Sequence, residues 1–493
     1  MTERIRVAVL GAGFAGLAVT HALAGAGIDD VAIFEREDGV GGTWRVNSYP
    51  GAACDVPSHL YSLSFAPNPD WSRAYASQAE ILAYLEDCYD RFDVRRKVRN
   101  STAITAVRWL DDARCWQLRD ERGAVYKASV LVTAVGMFHT PLVPNIAGMD
   151  DFSGTVFHSA RWNHERDITG KQVAVVGTGA SAIQIVPAIA EQAERTLVFQ
   201  RTPAWIMPRK DEPYSVEQRR LFAAQPDLAQ LHRNELYEMY EQTTSFLRDD
   251  PAAAKLAEVA NAYLKYKVPD PALRESLRPD YPIGCKRTLV SSAFYPAIQR
   301  DDVDLVTAPI ERIFPNGIRT ADGVDWPCDT IVWSTGFRAT EYLCGIEVTG
   351  RGGIDLHREW AGVPRAYQGM AVPGFPNLFM MYGPNTNQGG NSIILILEAQ
   401  AEFIARTLTA MDEAQADEVE VTALAMERYT MELLAALDTT VWSEGCDSYF
   451  RTAAGDVVTQ LPHTSRWYCE RMTHFPWEDF HLISKPGGSP CMT

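Results

Sequence analysis

Two short stretches of the chain place small residues where phosphate chemistry needs them. Residues 7–16 read VAVLGAGFAG and residues 173–182 read VAVVGTGASA. In each, an apolar run of strand type breaks into closely spaced small residues. An apolar, helix-compatible run follows, LAVTHALAGAG after the first and AIQIVPAIAEQA after the second. In such a loop the first glycine turns the chain, and the second lets the backbone approach a pyrophosphate. The third small residue lets helix and strand pack closely. Gly11, Gly13 and Gly16 fill these places in the first copy, with Phe14 and Ala15 between them. Gly177, Gly179 and Ala182 fill them in the second, with Thr178 and Ser181 between them and Gln184 just beyond. The open end of the following helix offers N–H groups to an anion. In both copies, 24 positions past the first glycine, a charged residue ends the next strand: Glu35, followed by Arg36, in one, and Arg201, followed by Thr202, in the other. A carboxylate there accepts hydrogen bonds from a ribose but repels a 2′-phosphate, whereas a guanidinium grips that phosphate with two parallel bonds. The first site therefore reads as one for a dinucleotide without the extra phosphate and the second as one for NADPH. Two such sites in one chain imply hydride transfer from NADPH to a flavin, most simply FAD.

Strand–loop–helix units must position these loops, so the expected fold class is α/β with two Rossmann-like dinucleotide-binding domains. The FAD domain is expected to be discontinuous, residues 1–145 plus 371–493. The NADP domain is expected over 146–210 plus 281–370. Between them, 211–280 is charged and amphipathic at helical period (EQRRLFAAQPDLAQLHRNELYEMYEQ, PAAAKLAEVANAYLKYKV) and reads as a helical insertion in the NADP domain. PGFPNLFMMYGPNTNQGGNSIILILEAQAEFIARTL reads as strand, glycine loop and helix returning to the first unit, and the aromatic C-terminal stretch from WSEGCDSYF reads as loops and short strands over a cleft.

Composition narrows the function classes. The chain has 493 residues, enough for two or three domains. Its net charge of −17 argues against nucleic acid or an anionic membrane as partner. No apolar run reaches membrane-spanning length, and MTERIRVAVLGAG carries no secretory signal pattern. The nine cysteines are scattered and odd in number, with no CxxC, which argues against structural zinc or a disulfide framework and for a reducing cytoplasm. No metal site is expected.

Electrons passed to a flavin need an acceptor. A disulfide acceptor would require a cysteine pair soon after the first acidic strand, but Trp44 stands where the first cysteine would fall and Cys54 has no close partner in sequence. A quinone acceptor would call for a membrane-facing surface that the sequence does not display. Molecular oxygen remains, and it requires a pocket shielded from water.

Residues 152–163, FSGTVFHSARWN, resemble the FxGxxxHxxxW fingerprint of Baeyer–Villiger monooxygenases, which precedes the second glycine loop in that family. Phe152, Gly154, His158 and Trp162 match it; Asn163 stands where Pro or Asp is usual. Trp162 favours the ketone-oxidising branch over flavin-containing monooxygenases that act on sulfides or amines. GGTW, YPGAACDVPSHLYS, GCKR, TAVG, STGF and GPNT extend the resemblance over nearly the whole chain, and WSEGCDSYF looks closest to the hydroxyacetophenone monooxygenase branch. Gly390 departs from the family's usual histidine.

The resemblance implies an FAD enzyme that uses NADPH and O2 to convert a ketone into an ester or lactone through a peroxide on the flavin. It implies that Arg287 is the active-site arginine, whose fixed positive charge favours the peroxide anion, and that Asp55 orients Arg287 and the nicotinamide. Lys286 would join Arg201 and Thr202 on the 2′-phosphate. Gly42, Thr43, Trp44 and Tyr61 would line the FAD, Asn385 and Thr386 would lie near the flavin edge, and Trp442 would contact NADP or substrate. The four fingerprint residues are expected to act as a hinge or linker rather than in chemistry. A sulfide or amine oxygenase and a redox-sensing flavoprotein that oxygenates nothing are the alternatives. The ketone's class, the selectivity and the oligomeric state are not encoded legibly.

Overall fold

The computed structural model describes residues 3–243, 246–248, 250–444 and 446–484. The end of the expected 371–493 segment, from 485 on, lies outside the described residues. Two parallel-stranded sheets organise the chain, each built around one of the glycine loops.

In the first sheet, Glu3–Leu10 lies between Val31–Phe34 and Val125–Thr133, parallel to both. Its residues Val7, Ala8 and Val9 are completely buried. Burial on both faces is why the run is uniformly apolar rather than alternating. The strand pair Ile104–Leu110 and Cys115–Asp120 extends this sheet antiparallel, and Leu378–Met380 adds to Val125–Thr133 in parallel. The 21-residue helix Ile393–Glu413 packs on the helix Phe14–Gly25.

The second sheet runs in the order Val303–Val306, Arg195–Phe199, Gln172–Val176, Thr330–Trp333, Thr155–His158, with every pairing parallel. In both sheets the glycine loop leaves a strand with parallel neighbours on either side, the switch point at which open α/β sheets bind ligands. The two loops obey the same steric constraint. Gly11 has φ +108°, and a Cβ there would stand 2.5 Å from the Ala134 carbonyl oxygen; Gly177 has φ +112°, and its Cβ would stand 2.5 Å from that of Ser334. Only glycine meets both demands. Helices Val216–Ala224, Pro226–Thr243, Pro251–Lys267 and Pro271–Ser276 occupy the stretch expected to be a helical insertion.

The return to the first unit comes earlier than residue 371. The strand Glu347–Thr349 pairs with Ala106–Arg108 of the first sheet, and Tyr342, Leu343, Leu356 and Trp360 join that sheet's core. The second unit therefore ends near 336. A three-residue strand in a glycine-rich stretch has no period to reveal it. The two chain segments joining the units run side by side: Leu142 N–H donates to the Gly336 carbonyl at 2.8 Å and Arg338 N–H to that of Thr140 at 3.0 Å.

Candidate active site at the junction of the two units

Glu35 lies beneath the first glycine loop, 5% exposed. Its Oε2 accepts the Ala12 N–H at 2.7 Å and its Oε1 accepts the Glu37 N–H at 2.9 Å. Each oxygen keeps a lone pair for a further donor. Burial raises its pKa, and the two backbone N–H groups work against that rise. Arg36 turns away, its Nη2 donating to the His139 carbonyl at 3.2 Å.

Two features make the glycine loops fit for phosphate. The helices that follow them, Phe14–Gly25 after Gly13 and Ala182–Ile189 after Ser181, begin without a side-chain cap, whereas Ser77, Ser215, Ser392 and Thr422 cap helices elsewhere. Uncapped first-turn N–H groups are those an anion satisfies. A Cβ on Gly179 would meet nothing within 4 Å, and one on Gly13 nothing nearer than Gly42 Cα at 3.6 Å, so each second glycine leaves a cradle that a side chain would fill.

Around the first loop, Phe14 packs edge-on against Tyr61, with ring centroids 5.3 Å apart, and Trp44 Nε1–H donates to the Tyr61 hydroxyl at 3.2 Å. Ala15 is buried behind them, and Thr43 is exposed. Thr386 spends its hydroxyl on the Gly383 carbonyl at 2.7 Å. The amide nitrogen of Asn385 donates to the carbonyls of Val457 and Gln460, at 3.0 and 3.1 Å, which leaves its buried Oδ1 without a partner. Gln388 Nε2 and Gln460 Nε2 are likewise buried and unpartnered. Orphaned amide atoms on two paired segments, 385–388 and that of Gln460, are the groups that a polar heterocycle satisfies.

In the second unit, Thr178 Oγ1 donates to the Thr202 carbonyl at 3.1 Å, tying the glycine loop to the strand end that carries Arg201. Arg201 projects outward, 3.8 Å from Asp447. Lys286 rests over the Tyr281 ring at 4.8 Å. Burial pulls its pKa down, Asp447 pulls it up and Arg201 pulls it down, so the three charges lie within electrostatic reach of one another. Gln184 reaches across to the first unit: its Oε1 accepts from the Tyr49 hydroxyl at 3.0 Å and its Nε2 donates to the Ala53 carbonyl at 3.0 Å.

That bridge holds the loop carrying Asp55. Arg287 meets Asp55 at the junction, with Nε at 2.8 Å and Nη2 at 2.7 Å from Oδ2. The carboxylate raises the pKa of Arg287 above its ordinary value, and the phenols of Tyr449 and Tyr382 act on it in the same direction. The two side chains are 25% and 28% exposed, and the arginine, which keeps its proton, is a permanent cation whose position is set from the other unit. Cys54, beside Asp55, is unbonded, and burial pushes its thiol pKa up.

The fingerprint residues are held in packing and hydrogen-bond contacts. Gly154 passes where a Cβ would stand 2.3 Å from the Asp329 carbonyl oxygen and 2.6 Å from the Phe152 ring. Trp162 packs edge-on against Phe157 at 4.9 Å. His158 has both ring nitrogens engaged: Nδ1 accepts the Ala160 N–H at 3.1 Å, which makes Nε2 the protonated nitrogen, and Nε2–H donates to the Gly336 carbonyl at 2.9 Å. Gly336 is the residue that also receives Leu142, so His158 pins the paired linkers between the units.

Two expectations are corrected. Trp442, expected to contact NADP or substrate, is 3% exposed, stacks on Phe246 at 5.1 Å, and spends its N–H on the Gly284 carbonyl at 2.9 Å. It braces the arginine loop from behind. The cysteines, whose scatter argued against a disulfide framework, include one bonded pair, Cys285–Cys446, 161 residues apart in sequence. No motif couples those two positions. Also missed were Tyr49 and the Glu37–Arg161 ion pair across the units at 3.0 Å, which ordinary residue types in loops do not announce.

The chain matches the family described as flavin-binding monooxygenase-like over residues 4–225. It is 40% identical over 485 residues to a Baeyer–Villiger monooxygenase from Pseudomonas aeruginosa, covering 98% of this chain and 92% of that one. It is 41% identical over 474 residues to one from Streptomyces coelicolor, covering 94% and 90%. A solved structure of a steroid monooxygenase in its oxidised form with NADP bound superposes with a TM-score of 0.88 at 33% identity, covering 98% of this chain and all of that chain. Among the described residues, no helix is long and apolar enough to cross a membrane.

Proposed function

The chain belongs to the Baeyer–Villiger monooxygenase family, and from that premise we propose that it is an FAD-containing enzyme that uses NADPH and molecular oxygen to convert ketones into esters or lactones. The observation that most supports this reading is the Asp55–Arg287 pair, held between two glycine-loop units of opposite charge preference.

The first loop and Glu35 would hold FAD, with Phe14, Trp44 and Tyr61 beside it and the orphaned amides of the 385–388 loop free to meet a polar ring edge. The second loop would hold NADPH, with Arg201, Thr202 and Lys286 on its 2′-phosphate. Once bound and reduced, the flavin supplies activated oxygen. Arg287 supplies a fixed cation for the negative charge that develops on the ketone oxygen as that carbon is attacked. Arginine suits the task because it keeps its proton at any working pH. Asp55 aims it, accepting the Nε–H on Oδ2 with Nη2 2.7 Å from the same oxygen. Phe152, Gly154, His158 and Trp162 act through packing at the linkers. We place the enzyme in the cytoplasm on its cysteine usage, since six of the described cysteines are free.

Product analysis tests the reading. The purified holoenzyme is incubated with linear, cyclic and aryl ketones and with an aryl sulfide while NADPH and oxygen uptake are followed. One NADPH and one O2 per ester are expected. Sulfoxide without ester from any ketone would instead assign a heteroatom oxygenase. Peroxide accounting for all the NADPH would assign a flavoprotein that does not oxygenate.

A further inference from the structure

We propose that Cys285 and Cys446 are positioning residues for Arg287: a reversible disulfide that clamps the arginine loop against the C-terminal segment and tightens the nicotinamide nucleotide site when closed. This rests on the functional reading above.

The two segments it joins carry the charges of the second site. On one side, Cys285 is followed directly by Lys286 and Arg287. On the other, Cys446 is followed by Asp447, which pairs with Arg201, and by Tyr449, which acts on Arg287. Among the described residues, a hydrogen bond from Trp442 Nε1–H to the Gly284 carbonyl repeats the connection nearby. The bond holds the two Cα atoms 5.8 Å apart. Opening it leaves the Lys286–Asp447–Arg201 set dependent on that hydrogen bond and on mostly exposed ion pairing, which is weak. Such a clamp acts by limiting the arrangements open to the separated segments.

The chemistry is available. The thiolate is the form that reacts. Hydrogen peroxide is the oxidant, which a bound, reduced flavin would release on meeting oxygen without substrate. The thiolate attacks the O–O bond, giving a sulfenic acid and hydroxide. The second thiol then displaces the sulfenic oxygen as water, so two thiols and one H2O2 give one disulfide and two waters. A dithiol reverses the step, reducing the bond and becoming oxidised itself. Cys285 is 1% and Cys446 9% exposed, so exchange requires the two segments to part slightly. An enzyme that wastes NADPH as peroxide would thereby close its own clamp.

The test uses the full-length holoenzyme treated either with hydrogen peroxide or with a phosphine reductant. Peptide mapping without reduction should find Cys285 joined to Cys446 after peroxide and both thiols free after reductant. NADP+ titration should show affinity about 3- to 10-fold weaker in the reduced form, the scale of one ordered contact. The share of NADPH lost as peroxide in the presence of ketone should rise in parallel. Both changes should reverse on reoxidation. C446S should match the reduced wild type and ignore peroxide, whereas C344S, whose thiol lies elsewhere, should still respond. If C446S fails to fold, the comparison of reduced and reoxidised wild type decides alone. Absence of the joined peptide, or unchanged NADP+ affinity between the two forms, would overturn the proposal. Peptide mapping and NADP+ affinity need no ester, so a joined peptide with an affinity shift but no ester would sink the functional reading and leave the clamp standing.

Discussion

Asp55 and Arg287, 232 positions apart, meet through one oxygen: Oδ2 accepts the Nε–H of the guanidinium at 2.8 Å and stands 2.7 Å from Nη2 in the ion pair. One residue comes from the unit with the acidic strand end and the other from the unit with the basic one. The ion pair thus reports whether the two units are correctly joined. Gln184 reinforces the same junction, gripping the 49–53 loop from the second unit.

Arg201 is the residue we propose for nucleotide preference. If Arg201 and Lys286 both meet the 2′-phosphate, NADPH should be preferred over NADH by roughly 10- to 1000-fold, the scale of one or two charged hydrogen bonds. Arg201→Ala should shrink that ratio by about tenfold or more through the KM for NADPH, with kcat nearly unchanged. Steady-state kinetics with both nucleotides checks it, and an unchanged ratio would move the discrimination to Lys286.

His158 invites a catalytic role that its geometry refuses. Both ring nitrogens are committed, to Ala160 and to Gly336. His158→Ala should therefore cost about 1–3 kcal/mol of stability through the unpartnered groups left behind. It should leave the shape of the pH–rate profile intact. Thermal unfolding together with a kcat profile over pH separates this from acid–base work, which would change the profile.

A second histidine makes stability pH-dependent. His59 is buried against Tyr214, Phe222 and His232, and burial, with His232 and Arg233 nearby, holds its pKa down to about 4. The folded pKa lies below the ordinary value near 6.5, so the unfolded chain binds the proton first. The resulting stability is complete above about pH 6.5 and is lost as pH falls toward 4, on the order of 3 kcal/mol in all. His59→Phe should flatten that slope. Denaturant midpoints at pH 7.5 and 5 for both proteins measure it; parallel losses would assign the slope to other groups.

Much of this was legible in the sequence because local sterics wrote it there. Gly11 and Gly177 each lie against a carbonyl at positive φ, a demand that no other residue meets, and the charges of Glu35 and Arg201 follow at one fixed offset. Arg287 and Asp55 were legible only through family resemblance, since nothing local distinguishes an arginine in GCKR from a surface ion pair. What stayed hidden depends on distant partners. The strand Glu347–Thr349 is too short to show a period, and its place is set by pairing with Ala106–Arg108. Trp442 looks the same in sequence whether it faces a nucleotide or, as here, a backbone carbonyl. The Cys285–Cys446 bond joins two positions that no spacing rule relates.

The central claim is that Arg287 serves oxygenation rather than hydride transfer, and Arg287→Ala tests it most directly. Flavin reduction by NADPH depends on the two glycine loops and their strand-end charges. Ester formation needs the fixed cation, whose loss is expected to lower it by about 10²–10³. Arg287→Lys should recover little, since it lacks the planar fork that spans Asp55. The measurement is anaerobic stopped-flow reduction of the FAD-loaded variant, paired with ester and hydrogen peroxide assays in air. The account predicts that reduction persists while nearly all oxygen uptake appears as peroxide. Wild-type ester yield in the variant would contradict it.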